Sequence, residues 1–234
     1  MNLLAIDAST EACSVALTFN GQLFQRFELC PQSHSLLLLP MVDEVLREAS
    51  CQLSQLDGLV FGQGPGSFTG VRIGIGVAQG LGFAANLPMV GVSTLQTMAQ
   101  MAYEKYQENR VISAIDARMN EVYNGVYQLD QHGIMQAVIE ESVLAPAKLS
   151  DRVYRKIDNK KLAYGVGTGW QAYHAELTGM IKNSDDIDIL YPQASSMLML
   201  AKDQYIQGKT VNAENAQPVY VRDTVSWKKL PGRK

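Results

Sequence analysis

The chain is poor in the residue types that most catalytic and metal sites are built from. Three cysteines, Cys13, Cys30 and Cys51, form an odd, unclustered set with no C-x-x-C, which argues against a disulfide framework or a zinc knuckle and predicts reduced, buried thiols. Three histidines, His34, His132 and His174, stand far apart, without an i, i+4 pair or an H-E-x-x-H. Neither a zinc site nor a nucleophile with its base can be assembled from them. Basic residues are also in short supply: 20 Lys and Arg against 23 Asp and Glu give a formal charge of −3. Affinity for phosphate backbones comes from clustered Lys and Arg, so this balance argues against a chain that grips nucleic acid alone. The one basic cluster is the tail, where Arg222, Lys228, Lys229, Arg233 and Lys234 surround Trp227. It reads as a solvated tail, with RNA contact as the alternative. No apolar run has the length of a membrane span, the Leu36–Leu39 run stopping at Pro40, and the N-terminus lacks the pattern of a signal peptide. The expectation is a cytoplasmic protein.

What is present is an ordinary globular composition, 47% hydrophobic over 234 residues, enough for two small domains or one large one. LLAIDAS, CSVALTF and QLFQRFELC read as three strands, with Asn20-Gly21 as the hairpin turn between the last two. Between Ser33 and Ser50, Leu38, Met41, Val42, Val45 and Leu46 fall on one helical face, and Ser33 is placed to cap it. A buried strand LDGLVFG, a helix reaching about Asn86, a short strand PMVGV and a helix capped by Ser93 or Thr94 follow. At Val111 the pattern restarts: Ala114-Ile115-Asp116-Ala117 repeats Ala5-Ile6-Asp7-Ala8, each copy a strand ending in Asp before a tight turn and a second strand. This predicts a structural duplication, with residues 1–108 as the N-terminal half and 109–234 as the C-terminal half carrying the basic tail.

The Gly-rich loop Gly62–Gly70 lies between a buried strand and a helix N-terminus, where free amides favour an anion. It has neither a Walker Gly-Lys-Ser/Thr nor G-x-G-x-x-G spacing, and a helix capped by Ser67 explains it equally well. In the helix that follows, Gly66, Gly70, Gly74, Ala78 and Gly82 recur every four residues, with Gly76, Gly80 and Ala84 as a second small row. Each interior Gly costs about 0.8–1 kcal/mol relative to Ala, so a smooth face has to be of use. A helix of another chain fits the first row, as does the protein's own sheet or first helix. The expected interface comprises Leu36, Leu39, Met41 and Val42 of the first helix with Gly66, Gly70, Val71, Gly74 and Ala78 of the second. Asp7 and Asp116 sit at strand-to-turn corners, where paired carboxylates would face a cleft or would cap their own turns.

The run Leu4-Ala-Ile-Asp7-Ala-Ser9-Thr10, the loop Gly64-Pro-Gly-Ser-Phe-Thr-Gly-Val-Arg72-Ile-Gly74, Gly91-Val-Ser-Thr-Leu95, Ile115-Asp-Ala-Arg118 with Glu121-Val-Tyr123, Gly165-Val-Gly-Thr-Gly-Trp170 and Pro218-Val-Tyr-Val-Arg222 resemble, in order along the chain, the TsaB/YeaZ family. The resemblance implies an α/β, actin-like (ASKHA) fold of two related halves, each a mixed sheet flanked by helices. It implies an accessory role in N6-threonylcarbamoyladenosine formation in tRNA, activating the catalytic relative TsaD together with the P-loop ATPase TsaE for transfer from threonylcarbamoyl-AMP. Homodimers in isolation and only indirect tRNA contact belong to the same expectation. TsaD carries a metal-binding His pair after the strand matching Val90-Gly91-Val92; here Ser93, Thr94 and Leu95 follow. ATP-using members of the fold end the first strand in Asp-x-Gly, whereas here Ala8 and Ala117 follow the two aspartates and Glu11 adds a negative charge nearby. The expectation is no catalytic or metal residue, no cofactor, and at most weak adenine-nucleotide binding in a degenerate cleft of Asp7, Ser9, Thr10, Asp116, Gly165, Gly167 and Gly169. The competing reading is an ASKHA-type enzyme, a small-molecule kinase or a glycoprotease-like peptidase.

Overall fold

In the computed structural model, which describes residues 1–154, 162–177 and 179–222, the predicted meander is three antiparallel strands, β1 (Leu3–Asp7), β2 (Ala12–Phe19) and β3 (Gln22–Leu29). Asn20 and Gly21 both take positive φ at the hairpin, as a turn matched to strand twist requires. α1 (His34–Glu48) returns the chain so that β4 (Gly58–Gly64) pairs parallel with β1, and α2 (Phe68–Ala85) carries it to β5 (Met89–Ser93), parallel with β4. The sheet order is β3-β2-β1-β4-β5.

α3 (Thr94–Tyr106) leads to the second copy: β6 (Arg110–Asp116), β7 (Val122–Leu129) and β8 (Met135–Leu144) form an antiparallel meander. α4 (Leu149–Tyr154) precedes β9 (Tyr164–Val166), which pairs parallel with β6, giving the order β8-β7-β6-β9. Strand for strand this repeats β3-β2-β1-β4, and both first strands end in aspartate, so the fold is the expected duplicated, actin-like α/β arrangement. Two single-turn helices, α5 (Gly169–Ala172) and α6 (His174–Leu177), and the longer α7 (Ala194–Ile206) follow.

The central helices are placed by their apolar faces. Leu95, Met98, Ala99 and Ala102 of α3 pack with Val111, Ile115, Tyr127 and Met135 of the second sheet, whereas Ala194, Met197, Leu198 and Ala201 of α7 pack on Leu3, Ala5, Val60 and Val90 of the first. The chain thus returns late to its first sheet. Capping follows the sequence in two cases: the Ser67 hydroxyl accepts the Gly70 amide, and Ser93 rather than Thr94 caps α3 by accepting the Leu95 and Gln96 amides. Ser33 stands at the α1 N-cap, but its side chain makes no capping bond. Among the described residues no helix is long and apolar enough to cross a membrane.

Candidate functional site

Where a nucleotide cleft was expected, the chain's own groups meet one another. Asp7, at the end of β1, is 2% exposed, and its Oδ1 accepts the Ser9 amide at 3.0 Å and the Ser9 hydroxyl at 2.9 Å. The Ser9 hydroxyl in turn accepts from Thr94 Oγ1 at 2.9 Å. Among the described residues Asp7 Oδ2 is buried without a partner, and burial pushes the carboxyl up to about 6, against the opposing pull of the Ser9 bonds and the His34 ring. Thr10 is buried, and its carbonyl lies 2.7 Å from His34 Nε2.

The turn after Asp7 is covered by the Gly-rich loop. The Ser67 amide donates to the Ser9 carbonyl at 2.7 Å, and a Cβ at Gly66 or Gly70 would fall 2.0 Å from the Ser9 carbonyl oxygen or 2.2 Å from that of Ala8. These glycines are therefore required by backbone packing inside the chain.

On the second copy, Asp116 accepts the Arg118 amide (2.8 Å), the Tyr173 hydroxyl (2.9 Å) and the Arg118 guanidinium (3.0 Å), while the same guanidinium reaches Glu11 of the first copy at 3.2 Å. Glu11 and Asp116 thus share one cation across the two copies. Gly165, Gly167 and Gly169 are also explained by local packing: a Cβ at Gly165 would fall 2.3 Å from Ile181 Cδ1, one at Gly167 2.2 Å from the Ala114 carbonyl oxygen, and one at Gly169 2.9 Å from Val122 Cγ2. Gly167 additionally needs its φ of +100°.

Sequence reasoning missed Glu141, which β8 presents to Ser93 and to the Tyr127 hydroxyl (2.6 Å). Burial raises this carboxyl and those two hydroxyl bonds oppose the shift. Ser93, Glu141 and Tyr127 thus form one hydrogen-bonded cluster at the end of β5. No sequence signal announces it, since Glu141 lies 48 residues beyond Ser93.

The expected interface divides. Met41, Val42, Val71 and Ala78 belong to the first core with Leu4, Ile6 and Phe61, and Gly70 and Gly74 are buried against the Ala8 turn. These residues, with Gly66, face inward, because the Gly66-Gly70-Gly74 row is where α2 meets the end of β1. Leu36 (74% exposed) and Leu39 (50%) do face out. The open row on α2 is the second one: among the described residues nothing lies within 4 Å of a Cβ built at Gly76 or Gly80, and Phe83 beside them is 83% exposed. A Gly70→Ala variant is accordingly expected to destabilise the chain. The added methyl meets a backbone carbonyl that cannot rotate away, and overpacking of about 1–3 kcal/mol outweighs the roughly 1 kcal/mol gained in helix propensity. A melting temperature several degrees below wild type checks this; an unchanged or raised value would show that the turn yields.

At the other end of the loop a cavity of about 390 Å³ is lined by Pro65, Phe68, Arg72, Tyr123, Tyr220 and Arg222. The Arg72 guanidinium stacks 3.3 Å from the Phe68 ring centroid, and Arg222 pairs with Glu121 at 2.6 Å. Of the basic tail only Arg222 is placed; Trp227, Lys228, Lys229, Arg233 and Lys234 lie outside the described residues.

Comparison with known proteins finds relatives along the whole chain. Residues 28–229 match the family model for TsaD, tRNA N6-adenosine threonylcarbamoyltransferase. The tRNA threonylcarbamoyladenosine biosynthesis protein TsaB of Escherichia coli is 48% identical, covering all of both chains, and that of Haemophilus influenzae is 45% identical, covering all of this chain and 98% of its own. Two solved structures from Pseudomonas aeruginosa are similar, each covering 94% of this chain and 99% of their own. One, described as an uncharacterized protein with similarity to peptidase YeaZ, has a TM-score of 0.86 at 46% identity; the other, YeaZ, has 0.83 at 45%. The two-copy fold and these full-length likenesses place the chain in the TsaB (YeaZ) family, within the wider TsaD family.

Proposed function

We propose that this chain is a non-catalytic subunit of the machinery that forms N6-threonylcarbamoyladenosine in tRNA. It docks a TsaD-type catalytic subunit through the exposed face of α1 and α2, works with a TsaE-type ATPase, and meets tRNA only through the assembly. One observation carries the reading: the turn after Asp7, which in ATP-using members of the fold wraps phosphate, is covered by residues 66–70 of the same chain. A phosphate cannot approach a backbone already in van der Waals contact with another. The docking assignment rests on Leu36, Leu39 and Phe83, large apolar side chains left in solvent beside a glycine row that admits a close neighbour.

Reconstitution with purified TsaD-type and TsaE-type subunits, each component omitted in turn, tests the proposal. Threonylcarbamoylation of tRNA is expected to require this chain, while the chain alone shows no turnover and calorimetry finds no tight, magnesium-dependent ATP binding. Full modification without the chain would defeat the accessory reading. ATP hydrolysis or peptide cleavage that co-elutes with the chain and is lost on substituting Asp7 or Asp116 would establish the kinase or peptidase alternative.

A further inference from the structure

Three residues that look scattered in the sequence form one buried cluster. Cys13 lies near the start of β2, Cys30 one residue beyond β3, and His34 opens α1. The antiparallel register pairs Ala12 with Leu29, and the Cys30 amide extends the ladder by donating to the Glu11 carbonyl at 2.9 Å. A turn closed by the Ser33 amide on the Cys30 carbonyl, also 2.9 Å, then brings His34 back over the strand ends. The two sulfurs and a ring nitrogen of His34 all lie within 4.8 Å of one another, and all three residues are buried.

We propose that Cys13, Cys30 and His34 bind a single zinc ion. The donor set is soft, two sulfurs and an imidazole, which selects zinc-like cations over magnesium or calcium. Zinc bonds of about 2.3 Å to sulfur and about 2.0–2.1 Å to nitrogen correspond to ligand atoms roughly 3.5–3.8 Å apart at tetrahedral angles. The cluster therefore needs to contract by no more than about 1 Å from its observed limit. The Thr10 carbonyl, 2.7 Å from His34 Nε2, can only accept, so Nε2 carries a hydrogen and Nδ1 is the ring nitrogen that would bind the metal. A ring N–H held by a backbone carbonyl is the usual support of a metal-binding imidazole. Binding releases one proton from each thiol, and zinc with two thiolates and a neutral imidazole is itself uncharged. A copper(I) ion on the same ligands would carry a net negative charge and add to that of the buried Asp7 carboxyl, so the site favours zinc. Three protein ligands leave a fourth position for water or a small ligand. The cation would tie β2, the end of β3 and the first turn of α1 together.

The reduced full-length chain, loaded with zinc chloride and desalted, is expected to retain one zinc per chain. Zinc should shield Cys13 and Cys30 from alkylation and raise the melting temperature relative to a chelator-treated sample. Cobalt substitution should give thiolate charge-transfer absorption and the visible bands of a tetrahedral ion, a readout that needs no variant. Cys13→Ser, Cys30→Ser and His34→Gln are each expected to weaken retention by about tenfold or more, with folding verified by circular dichroism, while Cys51→Ser retains the metal. Failure of the reduced wild type to retain zinc, equal retention by the Cys13→Ser/Cys30→Ser double variant, or an octahedral cobalt spectrum without thiolate bands would each overturn the assignment. So would ready formation of a Cys13–Cys30 disulfide that zinc does not prevent.

Discussion

Replacing Gly76 and Gly80 of α2 by leucine is expected to leave the free chain as stable as before, or more so, while weakening its pairing with a TsaD-type subunit by roughly tenfold or more. Both positions face open space, with no atom of the described residues within 4 Å of an added Cβ. Nothing in the monomer resists the substitution, and each exchange gains up to about 1 kcal/mol of helix propensity. A partner helix seated on the row would be pushed away by the width of a side chain, forfeiting packing of about 1–3 kcal/mol, and every 1.4 kcal/mol is about tenfold in affinity. Leu36→Ala and Phe83→Ala should weaken the same complex by removing apolar anchors, again without unfolding the chain, because both side chains are mostly in solvent. The pair of measurements is the melting temperature of the free chain and its affinity for the purified partner. Unchanged affinity, with the variants folded, would move the docking surface off α2; a lowered melting temperature would mean that the row has a neighbour in the chain itself.

The contrast between the two glycine rows shows where sequence reasoning stops. Their period of four was legible, and so was the inference that a glycine-rich helix must meet something closely. Which row meets the chain and which is open depends on the Ala8–Ser9 turn, more than 50 residues away in sequence, so local spacing could not decide it. The same holds for α1: Leu38, Met41, Val42 and Val45 do share one face, but that face is the core, and the outward residues are their neighbours Leu36 and Leu39. The β2–β3 hairpin and the restart of the pattern in a second copy followed from the Asn-Gly turn and the repeated Ala-Ile-Asp-Ala, whereas β9, only three residues long, and the single-turn helices α5 and α6 carry too little periodicity to be read. The cysteines illustrate a different limit. Cys13 and Cys30 are separated by a whole hairpin, and only the register of β2 on β3 brings them together with His34.

An Asp7→Asn variant is expected to be more stable than wild type at pH 8 by about 1–3 kcal/mol, with the difference vanishing near pH 4. The carboxyl is fully buried, and burial raises it from 3.8 to about 6 in the folded chain. The groups facing it are the Ser9 amide and hydroxyl, the His34 ring, the Cys13 thiol and the bare Gly62 backbone, where a Cβ would fall 1.9 Å from Oδ2. None of these supplies Oδ2 with a donor. Between pH 4 and 6 the folded state therefore holds a proton that the unfolded chain has already released, so stability falls as pH rises through this window and levels off above it. A shift of about two units corresponds to about 3 kcal/mol at neutral pH, of which an unpaired amide hydrogen in the variant returns part. Asparagine keeps an oxygen for the two Ser9 bonds and carries no charge at any pH in the range. Urea midpoints of both proteins from pH 4 to pH 8, with chelator present, measure the difference directly. A gap that grows between pH 4 and 6 and then stays constant is the expected result. A variant less stable than wild type at pH 8 would mean that the buried carboxylate is held by a stronger partner than Ser9, and that the charge at the end of β1 supports the fold.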